Sequence, residues 1–183
     1  MHYLFILILW LIQFGQVSEI TQTKSLGNGL DTVKTVASIK ATFAATETKR
    51  KAFSQFMPLK TEQGKLNIGY YEGTILKMIT ANIYGDSGKV EADEYLDGGS
   101  VVLVYAKVSE YENLISVNPR TKVKAMTENW YYFKNENLIK WVSGGKVVPA
   151  GSTTFKQKAI AYKAELSAHK KMFADMSLLN KIK

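Results

Sequence analysis

Three stretches of this chain repeat one phrase: "IGYYEGTILKMI" from Ile68 to Ile79, "DEYLDGGSVVLVY" from Asp93 to Tyr105, and "ENWYYFKNENLIKWVSGG" from Glu128 to Gly145. Each places tyrosine before a turn containing Gly or Asn, and an aliphatic run follows; Tyr70 and Tyr71, Tyr95, and Tyr131 and Tyr132 are read as equivalent. Such a phrase is a hairpin, because period-two alternation sends successive side chains to opposite faces and the turn folds the strand back. One hairpin is marginal in water, so a series of them predicts a sheet that other elements must cover.

Turn signals between Lys65 and Ser143 set the strand count. They fall at "EG" (Glu72), "GDSG" (Gly85), "DGG" (Asp97), "NP" (Asn118) and "KNE" (Lys134), and predict six strands. Val90, Ala92 and Leu96 share one face, opposite Glu91, Asp93, Tyr95 and Asp97. Val102, Val104, Ala106 and Val108 continue the aliphatic face, with Tyr105, Lys107, Ser109 and Tyr111 behind them. Val123, Ala125, Tyr131 and Phe133 alternate with Lys122, Lys124, Glu128, Trp130 and Tyr132. One face is aliphatic and the other mixes rings with charge, as in an antiparallel sheet packed on one side.

Helical periodicity flanks this region. Asp31 caps a predicted helix over 31–56 with Val33, Val36, Ala37, Phe43 and Ala44 on its apolar side, and Pro58 marks its stop. A second helix over 154–177 carries the stripe Phe155, Ala159, Tyr162, Leu166, His169, Phe173 and Met176, with Thr154 and Gln157 as a capping box. The expected architecture is α+β: an antiparallel meander sheet of about six strands (65–143) flanked by an N-terminal and a long C-terminal helix, one domain over 31–183.

The first residues hold an unbroken apolar run from Tyr3 to Ile12, too short for a membrane span and suited to a secretory signal. A signal peptide over 1–18 and a flexible segment over 19–30 are expected, and hence a secreted or periplasmic protein. The chain has no cysteine, which excludes disulfides, thiol chemistry and a lipid anchor on cysteine, so no covalent membrane anchor is expected. A formal net charge of +8 favours anionic partners such as cell-wall polymers, lipid headgroups or nucleic acid, and the expected partner is an anionic polymer, a peptide or a lipid.

Little in the chain points to catalysis. His169 is the one histidine left after the leader, so a His-rich metal site is excluded and no nucleophile motif exists for it to serve; it reads as a packed histidine. Glu91, Asp93, Glu94 and Asp97 crowd one strand and read as solvated charges facing Lys107, Lys122 or Lys124, with a hydrolase using Glu91 and Asp93 on their shared face as an acid/base pair the lesser alternative. "YGDSGK" lacks the first glycine and the Ser or Thr of a phosphate loop, and reads as a turn. The best binding candidate is the aromatic and basic sheet face: Tyr95, Tyr105, Tyr111, Trp130 and Tyr132, with Lys107, Lys122 and Lys124 between them.

The phrases "YYEGTIL", "EYLDGGSVV" and "YYFKNENL" resemble bacterial proteins with tandem tyrosine-turn hairpins, antitoxin-like proteins of the YwqK type and, more distantly, MORN repeats. The first phrase matches most closely, and Glu136 stands in the third where a glycine is expected. The chain is also similar to exported bacterial proteins that combine a helix, a "YYF-x-N-x-x-L-I-x-W" strand pair and a closing helix. The resemblance implies a hairpin array and no activity. The functional expectation is a non-enzymatic binding or structural protein without cofactor or metal that uses its aromatic and basic face; the alternative is a half-barrel carrier of a lipid or other apolar ligand.

Overall fold

The computed structural model describes residues 26–56 and 64–174. The expected signal peptide, the segment from 19 to 25, and Met176 with the last turn of the predicted second helix lie outside these residues. The chain order is α1 (Leu26–Lys49), a 3-10 turn (Arg50–Ala52), β1 (Ser54–Phe56), β2 (Lys65–Glu72), β3 (Ile75–Tyr84), β4 (Gly88–Asp97), β5 (Ser100–Tyr111), β6 (Val123–Lys134), β7 (Asn137–Ser143), β8 (Lys146–Val148) and α2 (Thr153–Ala174). All eight strands form one antiparallel meander in sequence order.

The α+β expectation holds, and six strands become eight. The six predicted strands are β2 to β7, and a three-residue strand adds to each edge. β1 lies inside the segment expected to finish the first helix: that helix ends at Lys49, and the chain then turns so that Ser54 to Phe56 pair with Tyr71 to Gly69. β8 follows the Gly144-Gly145 corner, whose φ values of 53° and 80° suit the tight turn that returns the chain onto β7.

Helix boundaries shift as well. α1 begins at Leu26, so Asp31 is an interior residue that pairs with Lys134 at 2.7 Å instead of a cap. Its buried stripe is Val36, Ile39 and Thr46 with Phe43 beside them, while Val33 stands 67% exposed and Ala37 and Ala44 face solvent. At α2 the Ser152 hydroxyl, not Thr154, accepts the Phe155 N–H at 3.2 Å. The α2 stripe itself is as predicted, with Phe155, Tyr162, Leu166 and Phe173 buried.

Both faces of the sheet are covered. Val36, Ile39 and Phe43 of α1 pack with Tyr70, Met78, Tyr95, Leu103 and Tyr132. The α2 stripe packs with Ile79, Val104, Tyr131 and Phe133, the neighbours of opposite phase. The aromatic face is therefore the floor beneath α1: Phe43 stands edge-on to Tyr95 at 5.0 Å and to Trp130 at 5.5 Å, contacts of about 0.5–1.5 kcal/mol each.

The repeated phrase has a common geometry. A bulge falls between Tyr70 and Tyr71, between Tyr95 and Leu96, and between Tyr132 and Phe133. In each repeat the tyrosine joins the α1 cluster and the next residue joins the α2 cluster. The third equivalent is thus Tyr132 with Phe133, one residue later than the expected Tyr131 with Tyr132. Ordinary alternation sends each tyrosine and the next residue to opposite layers, and the extra residue of each bulge, Lys77, Val102 or Ile139, is on the returning strand and bends it at the sheet end.

Candidate functional site

The sheet face beneath α2 is built in rows across the strands. Pairing runs from Gly69 to Ile79, Glu94, Val104, Tyr131 and Trp141, so one carboxylate stands in an otherwise apolar row. The adjacent row reads Asn67, Ala81, Ala92, Ala106 and Asn129, three alanines side by side between two buried asparagines. The next reads Ile83, Val90, Val108 and Thr127. Alanines leave a trough where neighbouring rows fill the space, and α2 bridges it with Lys158, Ala161, Tyr162 and Glu165. The result is a cavity of about 310 Å³.

At the Glu94 end the walls become polar. Glu94 is 1% exposed, and its Oε1 lies 2.8 Å from Nδ1 of His169. Its other oxygen, Oε2, is buried without a hydrogen-bond partner among the described residues. A carboxylate oxygen of Glu94, one of Glu165 and a ring nitrogen of His169 lie within 4.8 Å of one another. Burial pushes the Glu94 carboxyl up against the opposing pull of His169. Burial also pulls the His169 imidazole down, and the hydrogen bond and charge of Glu94, helped by Glu165, more than reverse this and leave it raised. The Tyr131 phenol is pushed up to about 12 by burial, and Tyr162, whose ring centroid is 4.6 Å from that of Tyr131, is also raised by burial.

His169 and Glu94 thus differ from their expected roles. The histidine is on the packed stripe as predicted, but it meets a charge. Glu94 is not a solvated strand carboxylate. The signal for it was parity: it shares the phase of Val90 and Ala92, the aliphatic side. Of its companions Asp97 is exposed, but Asp93 is half-buried on the α1 face, and among the described residues none is seen paired with the expected Lys107, Lys122 or Lys124. Asp93 accepts from Arg50 at 2.9 Å and from the Thr80 hydroxyl at 2.7 Å, and Glu91 pairs with Lys89 at 2.9 Å.

The eight residues of the predicted aromatic and basic face do not share one surface. Tyr95 is buried beneath α1 and donates its hydroxyl hydrogen to Glu47 at 2.9 Å; Tyr132 is also buried. Tyr105, Trp130 and Lys107 form a half-buried group at the α1 margin, with the two rings 4.3 Å apart, the Lys107 ammonium 5.6 Å from the Tyr105 ring, and the Tyr105 hydroxyl donating to Glu128 at 2.8 Å. Tyr111 is half-buried at the end of β5, and Lys122 and Lys124 are exposed at the start of β6. Among the described residues no helix is long and apolar enough to cross a membrane. Comparison with protein-family models, with curated proteins and with solved structures finds no match for this chain.

Proposed function

We propose that the protein is a non-enzymatic binding protein that holds an apolar ligand between the alanine row of its sheet and α2. The observation that carries the reading is the cavity of about 310 Å³ over Ala81, Ala92 and Ala106. That volume is at the lower end of the roughly 300–1,000 Å³ range of small-molecule sites, which are largely apolar with a few converging polar groups. Aliphatic rows supply the apolar walls. Tyr162 and Lys158 supply a donor and a cation for the head of a ligand with a hydrocarbon body, and Glu94 and Glu165 line the same space. An exported carrier of a lipid fragment or similar molecule fits both this cavity and the apolar leader expected from Tyr3 to Ile12.

Titration of the purified protein with a fluorescent polyene fatty acid tests the reading. Saturable binding of one probe per chain is expected. Absence of saturable binding by protein whose circular dichroism shows an intact sheet would count against it.

A further inference from the structure

The polar end of the cavity contains a donor set that apolar ligand binding does not require. Glu94 projects from β4, Glu165 and His169 lie one helical turn apart on α2, and their donor atoms converge within 4.8 Å. Acidic clusters are common on protein surfaces, but this one has a buried member with an unmet valence. Among the described residues Glu94 Oε2 has no partner, in a side chain that is 1% exposed. A cation held between Glu94, Glu165 and His169 would partner this oxygen directly.

We propose that Glu94, Glu165 and His169 bind one divalent transition-metal ion, with zinc or manganese as the best-fitting class. One imidazole and two carboxylates make a mixed nitrogen and oxygen set suited to these ions and less suited to calcium, which takes six to eight oxygens. Bonds of about 2.0–2.2 Å place donors roughly 3.5 Å apart. The present spread of up to 4.8 Å has to close to that value as the ion binds, and Glu165, half-buried on α2, is less enclosed than Glu94. Three protein donors leave a coordination position for water or ligand, and the cavity bordered by Glu94 and Glu165 is where that position opens. Lys65, which acts electrostatically on His169, and Lys158 on the cavity wall are cations that oppose the ion. The two carboxylates offset them as direct ligands. This inference is independent of the apolar ligand, since the donor set stands whether or not the trough is filled.

Isothermal titration of the purified protein with zinc chloride, repeated with manganese chloride, provides the test. The expected result is one ion per chain and a melting temperature that rises with ion concentration. Glu165→Gln alters a half-buried side chain and is expected to keep the fold, verified by circular dichroism, while weakening binding by roughly a hundredfold. His169→Gln is expected to do the same, and it separates this site from any adventitious binding at His2. Absence of binding by either ion, or stoichiometric binding unchanged in both folded variants, would overturn the proposal.

Discussion

Glu94 Oε1 and His169 Nδ1 meet at 2.8 Å across 75 residues of sequence, tying the middle of the sheet to the C-terminal half of α2. Apolar residues flank both partners, so their pairing is expensive to maintain. Replacing a buried ion pair by apolar groups is often neutral or stabilising, while removing one partner costs about 3–5 kcal/mol. His169→Leu alone is therefore expected to destabilise the fold by about 3 kcal/mol, and Glu94→Leu with His169→Leu to recover most of that loss. Urea midpoints of the two single variants and the double variant decide the matter; additive losses would show that the residues do not act as a pair.

Gly69 lets α2 reach the sheet. A Cβ at this position would lie 2.7 Å from the Phe173 ring and 3.0 Å from the Tyr71 ring, and Phe173 is itself buried. Gly69→Ala is expected to cost about 1–3 kcal/mol through overpacking. Gly69→Ala with Phe173→Leu should cost less than the sum of the two single changes, as read from denaturation midpoints.

The β6–β7 turn contains a residue against type. Asn135 and Glu136 have φ values of 50° and 63°, in the left-handed region that the Gly98-Gly99 turn occupies without a side chain. Left-handed backbone costs an ordinary residue about 1 kcal/mol. Glu136→Gly completes an Asn-Gly turn and is expected to raise stability by about 0.5–1 kcal/mol, measured as a shift in urea midpoint at unchanged slope.

Alkaline pH should unfold the protein through its buried phenols. Burial pushes Tyr131 up to about 12, so the fold favours the neutral phenol relative to an unfolded value near 10. That contribution is fully present below about pH 10 and is lost as pH rises from 10 towards 12. Tyrosinate absorbance followed alongside circular dichroism should show buried phenols ionising together with loss of the sheet. Ionisation of all ten tyrosines near pH 10 with the fold intact would contradict the burial.

The sheet core and the C-terminal helix were legible because their signals are local. Gly- and Asn-containing turns bracket β2 to β7, and Phe155, Tyr162, Leu166 and Phe173 recur at helical spacing. What was not legible depended on phase and length. Ser54 to Phe56 and Lys146 to Val148 are too short to show alternation. Bulges opposite Tyr70, Tyr95 and Tyr132 reset parity on each returning strand, which carries Val102 from the expected aliphatic face to the α1 cluster, and the aromatic run from Trp130 to Phe133 left the third repeat's equivalent pair ambiguous by one residue. Glu94 was hidden by its neighbours: Asp93 and Asp97 made it look like part of a charged edge, although its parity with Val90 and Ala92 places it among the aliphatics. The cavity was not visible at all, because it arises from Ala81, Ala92 and Ala106 coming into register, and register is a property of three paired strands together.

The most direct test of a ligand cavity is to fill it. Ala106 is at one end of the alanine row, paired with Ala92 and Asn129, and leucine at this position projects into about 310 Å³ of space. Ala106→Leu is predicted to melt at or above the temperature of the parent protein while its affinity for the polyene fatty acid falls at least roughly tenfold. Unchanged affinity in a variant that folds normally would contradict the account.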